Sequence, residues 1–202
     1  MCTKRVYFSD YIFDIRNKVY EPAEDSFLFA ENLAVNDEET VLDMGTGCGL
    51  LGILAAEKTR SVVAIDINPY AVHCARENAK LNKVQHKISY IQGDLFAPLS
   101  DNFKFDVALF NAPYIPTDED KTESWIKYAW TGGVDGRQVI DRFVDEAPNH
   151  MKQSGRIFLM QSTLADIDVT FNRLAAYGMR ARVVAELALP FFETIKLVEA
   201  RI

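Results

Sequence analysis

From Thr40 onward, short apolar runs alternate with longer segments whose apolar positions recur every three to four residues. Residues 40–45 (TVLDMG), 61–67 (SVVAIDI), 87–96 (KISYIQGDLF), 105–114 (FDVALFNAPY) and 156–161 (RIFLMQ) read as strands. Residues 49–58, 69–82, 134–152 and 163–178 read as helices, with Gly155 turning the chain into the strand at 156 and Gly178 ending the last helix. Residues 180–190 and 193–202 then form two strands with no helix between them. This order predicts an α/β fold: a Rossmann-like, seven-stranded, mostly parallel sheet with helices on both faces and an antiparallel C-terminal edge. Ahead of it, residues 4–15 have strand-like aromatic and β-branched content. Residues 22–34 place a proline and acids in the first turn of a helix. No repeat or Gly/Ser linker is present, so residues 1–202 read as one domain, with 1–35 as its N-terminal lid or cap.

Composition constrains the partners more than the fold. A hydrophobic content of 49% and a charged content of 25% are globular averages. The net charge of −7, from 22 basic and 29 acidic residues, disfavours nucleic acid as a partner, because wrapping a duplex calls for a basic face. No apolar run approaches the ~20 residues of a membrane span, and the N-terminus lacks the apolar core of a secretory signal. Cys2, Cys48 and Cys74 are odd in number and widely spaced, which fits a reducing compartment; a cytoplasmic location is expected. His73, His86 and His150 are dispersed, with no paired-ligand spacing, so no metal site is expected.

The strand at 40–45 runs into DMGTGCGLLG. Read from Gly47 this is G-x-G-x-x-G (Gly47, Gly49, Gly52), which by itself invites a dinucleotide. A shifted reading takes in Asp43 and Gly45 as Asp-x-Gly-x-Gly-x-Gly. A carboxylate at Asp43 would repel a pyrophosphate and suits an ammonium-bearing ligand better. Asp66 closes the next strand, where an acid can accept hydrogen bonds from both ribose hydroxyls. Asp94 closes the third, where it could accept from an adenine amino group with Leu95 beside the ring. Three acids at three successive strand ends are what S-adenosylmethionine (SAM) chemistry wants; the competing reading is three unrelated loop acids. An oxidoreductase would also need a hydride-site acid or base, and no Tyr-x-x-x-Lys is found.

The fourth strand ends in LFNAPYIP, which taken alone is either a strand-ending turn or a grip on a planar amide or amine. In order and spacing, VLDMGTGCG, AIDINPYAV, QGDLF and FNAPYIP resemble a class I SAM-dependent methyltransferase. More narrowly, they resemble the HemK-type glutamine N5-methyltransferases that modify translation release factors. VYEPAEDSFLF and WTGGVDGRQVIDRF extend the resemblance from about Tyr20 to Ile202. With some twenty residues before YEPAED, the chain is similar to the short archaeal and eukaryotic branch, which lacks the bacterial N-terminal helical domain. The resemblance implies SAM as cofactor and the glutamine of a Gly-Gly-Gln loop in a class I release factor as substrate. It also implies a small zinc-binding activator protein that adds to a sheet edge. By position it puts Ser26, Asp43, Gly45, Gly47, Gly49, Asp66, Asp94, Leu95 and Asn111 around the cofactor, and Tyr20 and Pro22 over the site.

An amide nitrogen is a poor nucleophile, because its lone pair is delocalised into the carbonyl. Catalysis then rests on holding it in line with the methyl donor, which can supply ~7–11 kcal/mol, and on acceptors for both N–H groups. The Asn111 side-chain oxygen and the Ala112 carbonyl suit those two acceptor roles. Pro113 restricts Ala112 to extended conformations and so aims its carbonyl, and Tyr114 can stack on the amide. The commoner family pattern has proline at position 112, so this loop is expected to be less rigid. Lysine, or an amino group of a nucleic-acid base, is the alternative acceptor. The acidic stretch around Asp118, Glu119 and Asp120 reads as a solvated loop or as a docking surface for a basic segment.

Overall fold

Strands covered by helices on both faces need near-continuous apolar runs, and the central strands of this sheet have them. The structure is a computed structural model that describes residues 2–117 and 124–202; Asp118, Glu119 and Asp120 lie outside the described residues. The chain opens with a hairpin, β1 (Cys2–Phe8) and β2 (Tyr11–Arg16), followed by α1 (Glu24–Glu31). Next come β3 (Thr40–Met44), α2 (Leu50–Lys58), β4 (Ser61–Asp66), α3 (Pro69–Leu81), β5 (Ile88–Gln92) and β6 (Phe105–Asn111). A short helix, α4 (Trp125–Tyr128), precedes α5 (Gln138–Glu146), β7 (Met151–Ser162), α6 (Ile167–Ala176), β8 (Arg180–Ala188) and β9 (Thr194–Arg201).

The seven-stranded sheet has the order β5-β4-β3-β6-β7-β9-β8. Strands β3 to β7 are parallel, and β9 runs antiparallel to both β7 and β8. The expected α/β class, seven strands and antiparallel C-terminal edge are all present. Alternate residues of each central strand feed two cores. Val41, Val107 and Leu109 face α1, α2 and α3, whereas Leu42, Ala108 and Phe110 face α5 and α6. Strand order reverses between β3 and β6, so the carboxyl ends of β3, β4 and β6 open a crevice there.

Three local expectations are corrected. The helix expected over 134–152 is α-helical only over Gln138–Glu146; Pro148 sits in a 3-10 turn at Ala147–His150, and Met151 already belongs to β7. Gly155 lies inside β7, where the register against β6 shifts between Phe105 and Val107, rather than at a turn before the strand. The helix expected over 163–178 breaks at Asp166 (φ 46°), whose carboxylate caps α6 by accepting from the Asp168 and Val169 N–H groups. Gly178 (φ 76°) follows its end, as expected.

The N-terminal hairpin packs against α3. The Asn82 Oδ1 accepts from the Ile12 N–H (3.0 Å) and the Asn78 Oδ1 from the Asp14 N–H (2.9 Å). Asn78 also donates to the Cys48 carbonyl (2.9 Å), tying hairpin, helix and glycine loop together. Within residues 1–35, Tyr20, Pro22, Asp25 and Ser26 reach the crevice.

Candidate active site

The crevice holds a cavity of about 380 Å³. Tyr20, Pro22, Ser26, Asp43, Gly45, Gly47, Asp66, Asp94, Leu95, Asn111, Ala112, Pro113 and Tyr114 line it. Gly49 does not. It caps α2 at φ 91°, and a Cβ there would stand 3.1 Å from the Ala75 Cα, so its backbone freedom serves packing of the loop on α3.

Each acid turns out to have a structural task as well. The Asp43 Oδ2 accepts from the Thr46 hydroxyl (2.6 Å) and the Gly52 N–H (3.0 Å), pinning the start of α2 to the end of β3. Burial raises its carboxyl to about 7, against the pull of those two donors. Asp66 accepts from the Gly47 N–H (2.9 Å) through Oδ2 and from the Asn68 N–H (2.8 Å) through Oδ1. Burial raises it to about 6. Each of its oxygens keeps a second lone pair, which fits a ligand diol. Asp94 lies two residues beyond the end of β5 rather than closing it, and its Oδ2 accepts from the Arg142 guanidinium at 2.8 Å. Leu95 beside it is buried at φ 47°, a left-handed conformation of the kind that clusters at ligand sites.

The end of β6 is organised by a residue the sequence reading did not single out. Asp25, in the first turn of α1, is 7% exposed. Its Oδ1 accepts from the Ser26 N–H (2.6 Å), the Ser26 hydroxyl (3.1 Å) and the Tyr20 hydroxyl (3.1 Å). Its Oδ2 accepts from the Asn111 Nδ2 (3.0 Å) and the Tyr114 hydroxyl (3.4 Å). Ser26, having donated its proton to Asp25, accepts a second bond from the Asn111 Nδ2 at 3.2 Å. Both hydrogens of the Asn111 amide are therefore spent on α1. Its Oδ1 is buried and has no partner among the described residues. A buried carbonyl oxygen without a donor is rare, and Asn111 is one of the residues lining the cavity. Burial and the nearby Asp25 push the Tyr20 and Tyr114 phenols well above their usual range, so both remain donors.

Ser26 thus contributes through its hydroxyl to the Asn111 network while lining the cavity. Trp130 meets Tyr20 edge-on, with centroids 6.4 Å apart, and closes one side of the mouth. Of the histidines, His150 is buried against Phe96, with ring centroids 4.8 Å apart, and His73 and His86 are exposed. Among the described residues no group of three or more His, Cys, Asp or Glu side chains could hold a metal ion. No helix among them is long and apolar enough to cross a membrane.

The donor set fits a nucleoside cofactor with an amino-acid tail. It offers acids at successive strand ends, a glycine loop at a helix N-terminus and an apolar wall at Leu95. Comparisons with known proteins agree with that chemistry. The profile of the methyltransferase small domain matches residues 21–129. A Methanocaldococcus jannaschii protein bearing the name protein N5-glutamine methyltransferase is 46% identical over 178 residues, covering 87% of this chain and 88% of its own. The mouse methyltransferase HEMK2 is 32% identical over 173 residues, 80% of each chain. Among solved structures, a chain of the E. cuniculi Mtq2–Trm112 complex, responsible for methylating the termination factor eRF1, superposes with a TM-score of 0.71. It is 26% identical, covering 91% of this chain and 98% of its own.

Proposed function

The chain belongs to the methyltransferase small-domain family, and from that premise we propose that it methylates the side-chain nitrogen of the glutamine in the Gly-Gly-Gln loop of a class I release factor, with SAM as donor. The observation that carries this reading is the buried Asn111 Oδ1, held as an unpartnered acceptor by Asp25 and Ser26. When bound, SAM supplies an electrophilic methyl group on its sulfonium. Asp66 would hold the ribose hydroxyls, and Asp94 with Leu95 the adenine. The Asn111 Oδ1 accepts one N–H of the substrate amide, and the Ala112 carbonyl the other. Both acceptors oppose delocalisation of the nitrogen lone pair and stabilise the positive charge that develops there. Tyr114, pinned through its hydroxyl, offers its ring to the amide plane. No side chain need deprotonate the amide, since the proton leaves after transfer.

A small activator is part of the proposal, zinc-binding as in the branch the sequence resembles; the pairing of Mtq2 with Trm112 supports it. A site of action in translation implies the cytoplasm. The test uses the chain together with its activator subunit, methyl-labelled SAM, the matching release factor, and the same factor with its Gly-Gly-Gln glutamine replaced. Label in the first and none in the second is expected; label in neither, or in both, would refute the assignment. Asn111→Ala should lower transfer about a hundredfold or more with cofactor affinity largely kept.

A further inference from the structure

Ile115, on the rim of the cavity, is 44% exposed and begins a run of exposed apolar side chains across the catalytic end of the sheet. The run continues through Val134 (71%) and Leu164 (50%) to Phe191 (97%) and Phe192 (105%). Backbone contacts connect these positions. The Thr117 N–H donates to the Gly133 carbonyl at 2.9 Å. A side chain at Gly136 would stand 3.3 Å from both Pro116 and Ala165, so the loop bearing Val134 lies against the segment bearing Leu164. The Thr194 N–H donates to the Thr163 hydroxyl at 3.0 Å, and the Leu189 N–H to the Glu193 carbonyl at 2.8 Å, which closes the turn that presents the two phenylalanines. Because β9 runs against both β7 and β8, β8 points the same way as β6 and delivers this turn to the same end as Asn111.

Exposed apolar side chains grouped on adjoining segments in this way mark an interaction site. Its border is acidic: Asp135 and Asp166 are exposed, and Glu193 lies close enough to Tyr114 to raise its phenol. Arg137, in the loop that carries Val134, is turned inward onto Asp141 and the carbonyls of Ala165 and Asp166. An apolar strip with an acidic border repels a phosphate backbone and an anionic membrane alike. A second copy of the chain seated on it would cover Ile115 and so obstruct the cavity.

We propose that this strip docks the body of the protein substrate, through an apolar patch bordered by basic residues beside the loop that carries the target side chain. The proposal rests on the glutamine-transfer reading above. The test compares the parent chain with the Phe191→Ser/Phe192→Ser double variant on the intact release factor, measuring KM, kcat and SAM affinity, with light scattering of each protein. KM is expected to rise about tenfold or more, with kcat at saturation and SAM affinity unchanged. An unchanged KM overturns the docking role and leaves the glutamine reading standing. A fall in kcat together with weaker SAM binding overturns it in favour of a role at the cavity. A parent dimer made monomeric by the substitutions, with KM unchanged, overturns it in favour of self-association. A parent that cannot methylate the factor with the activator present overturns the glutamine reading, and the named occupant with it.

Discussion

The polarity of the Asp25–Asn111 pair can be reversed almost without changing its shape, by combining Asp25→Asn with Asn111→Asp. In the parent, the Asp25 Oδ2 accepts from the Asn111 Nδ2 at 3.0 Å, and a hydrogen bond to a charged acceptor contributes roughly 1.5–3 kcal/mol. That bias fixes the orientation of the Asn111 amide, with Nδ2 on α1 and Oδ1 on the opposite side. In Asp25→Asn, the Ser26 N–H and the Tyr20 hydroxyl still demand an oxygen on the Oδ1 side, so the new NH₂ group falls on the Oδ2 side. It then faces the Asn111 NH₂, and Asn111 must flip, presenting a donor where the substrate needs an acceptor. Loss of the bias corresponds to about a 10- to 150-fold fall in kcat. Asn111→Asp alone sets two carboxylates roughly 3 Å apart, which cannot both ionise, and should cost at least as much. Together, the new amide at position 25 donates to the new carboxylate at 111, whose second oxygen again stands as an acceptor in the place of the parent Oδ1. The double variant should recover to within about tenfold of the parent, a coupling of at least about 1.5 kcal/mol. Single-turnover methyl transfer at saturating SAM, with SAM affinity measured alongside, reads the cycle. Two single effects that simply multiply in the double variant would refute the polarity argument.

Two further predictions follow from the glycine loop. Asp66 must be ionised to accept from a ribose diol, and burial holds its carboxyl at about 6. SAM affinity by calorimetry should therefore fall about tenfold as pH drops from 7 to 5, and Asp66→Asn should bind weakly with a flatter profile; an equally steep profile in the variant would assign the titration elsewhere. A Cβ at Gly52 would stand 2.6 Å from the Asp43 Oδ2, so Gly52→Ala should displace the carboxylate that anchors the loop. Overpacking of this kind costs ~1–3 kcal/mol; a thermal scan should show Tm lowered by a few degrees, with an unchanged Tm counting against the anchor.

How much of this was legible in the sequence depended on the distance over which a residue acts. Asp66 and Asn111 terminate strands that their own apolar runs announce, and a strand's carboxyl end is where an open α/β sheet binds ligands. Asp25 was not legible. An acid in a first helical turn has a sufficient local explanation in the helix dipole, and its partner Asn111 is 86 positions away. The same holds for Asn78 and Asn82, whose partners lie in the hairpin 64 to 70 positions earlier. Gly49 misled in the opposite direction: its spacing matched a ligand loop, whereas its positive φ serves contact with Ala75.

The electrostatics of the cavity follow from the same residues. Among the described residues lining it, Asp25, Asp43, Asp66 and Asp94 face a single guanidinium, Arg142, which pairs with Asp94. A lining of this sign repels a pyrophosphate and favours a cationic cofactor, which separates the site from the dinucleotide sites that share its glycine spacing. It also favours the cation that forms on the substrate nitrogen during transfer. Asp25 is the acid best placed for that, since it stands directly behind Asn111. On the proposed reading, the carboxylate that orients the Asn111 amide also sets a fixed negative charge behind it. Asp25→Asn removes both contributions, whereas the exchange with Asn111→Asp moves the charge one residue closer to the substrate.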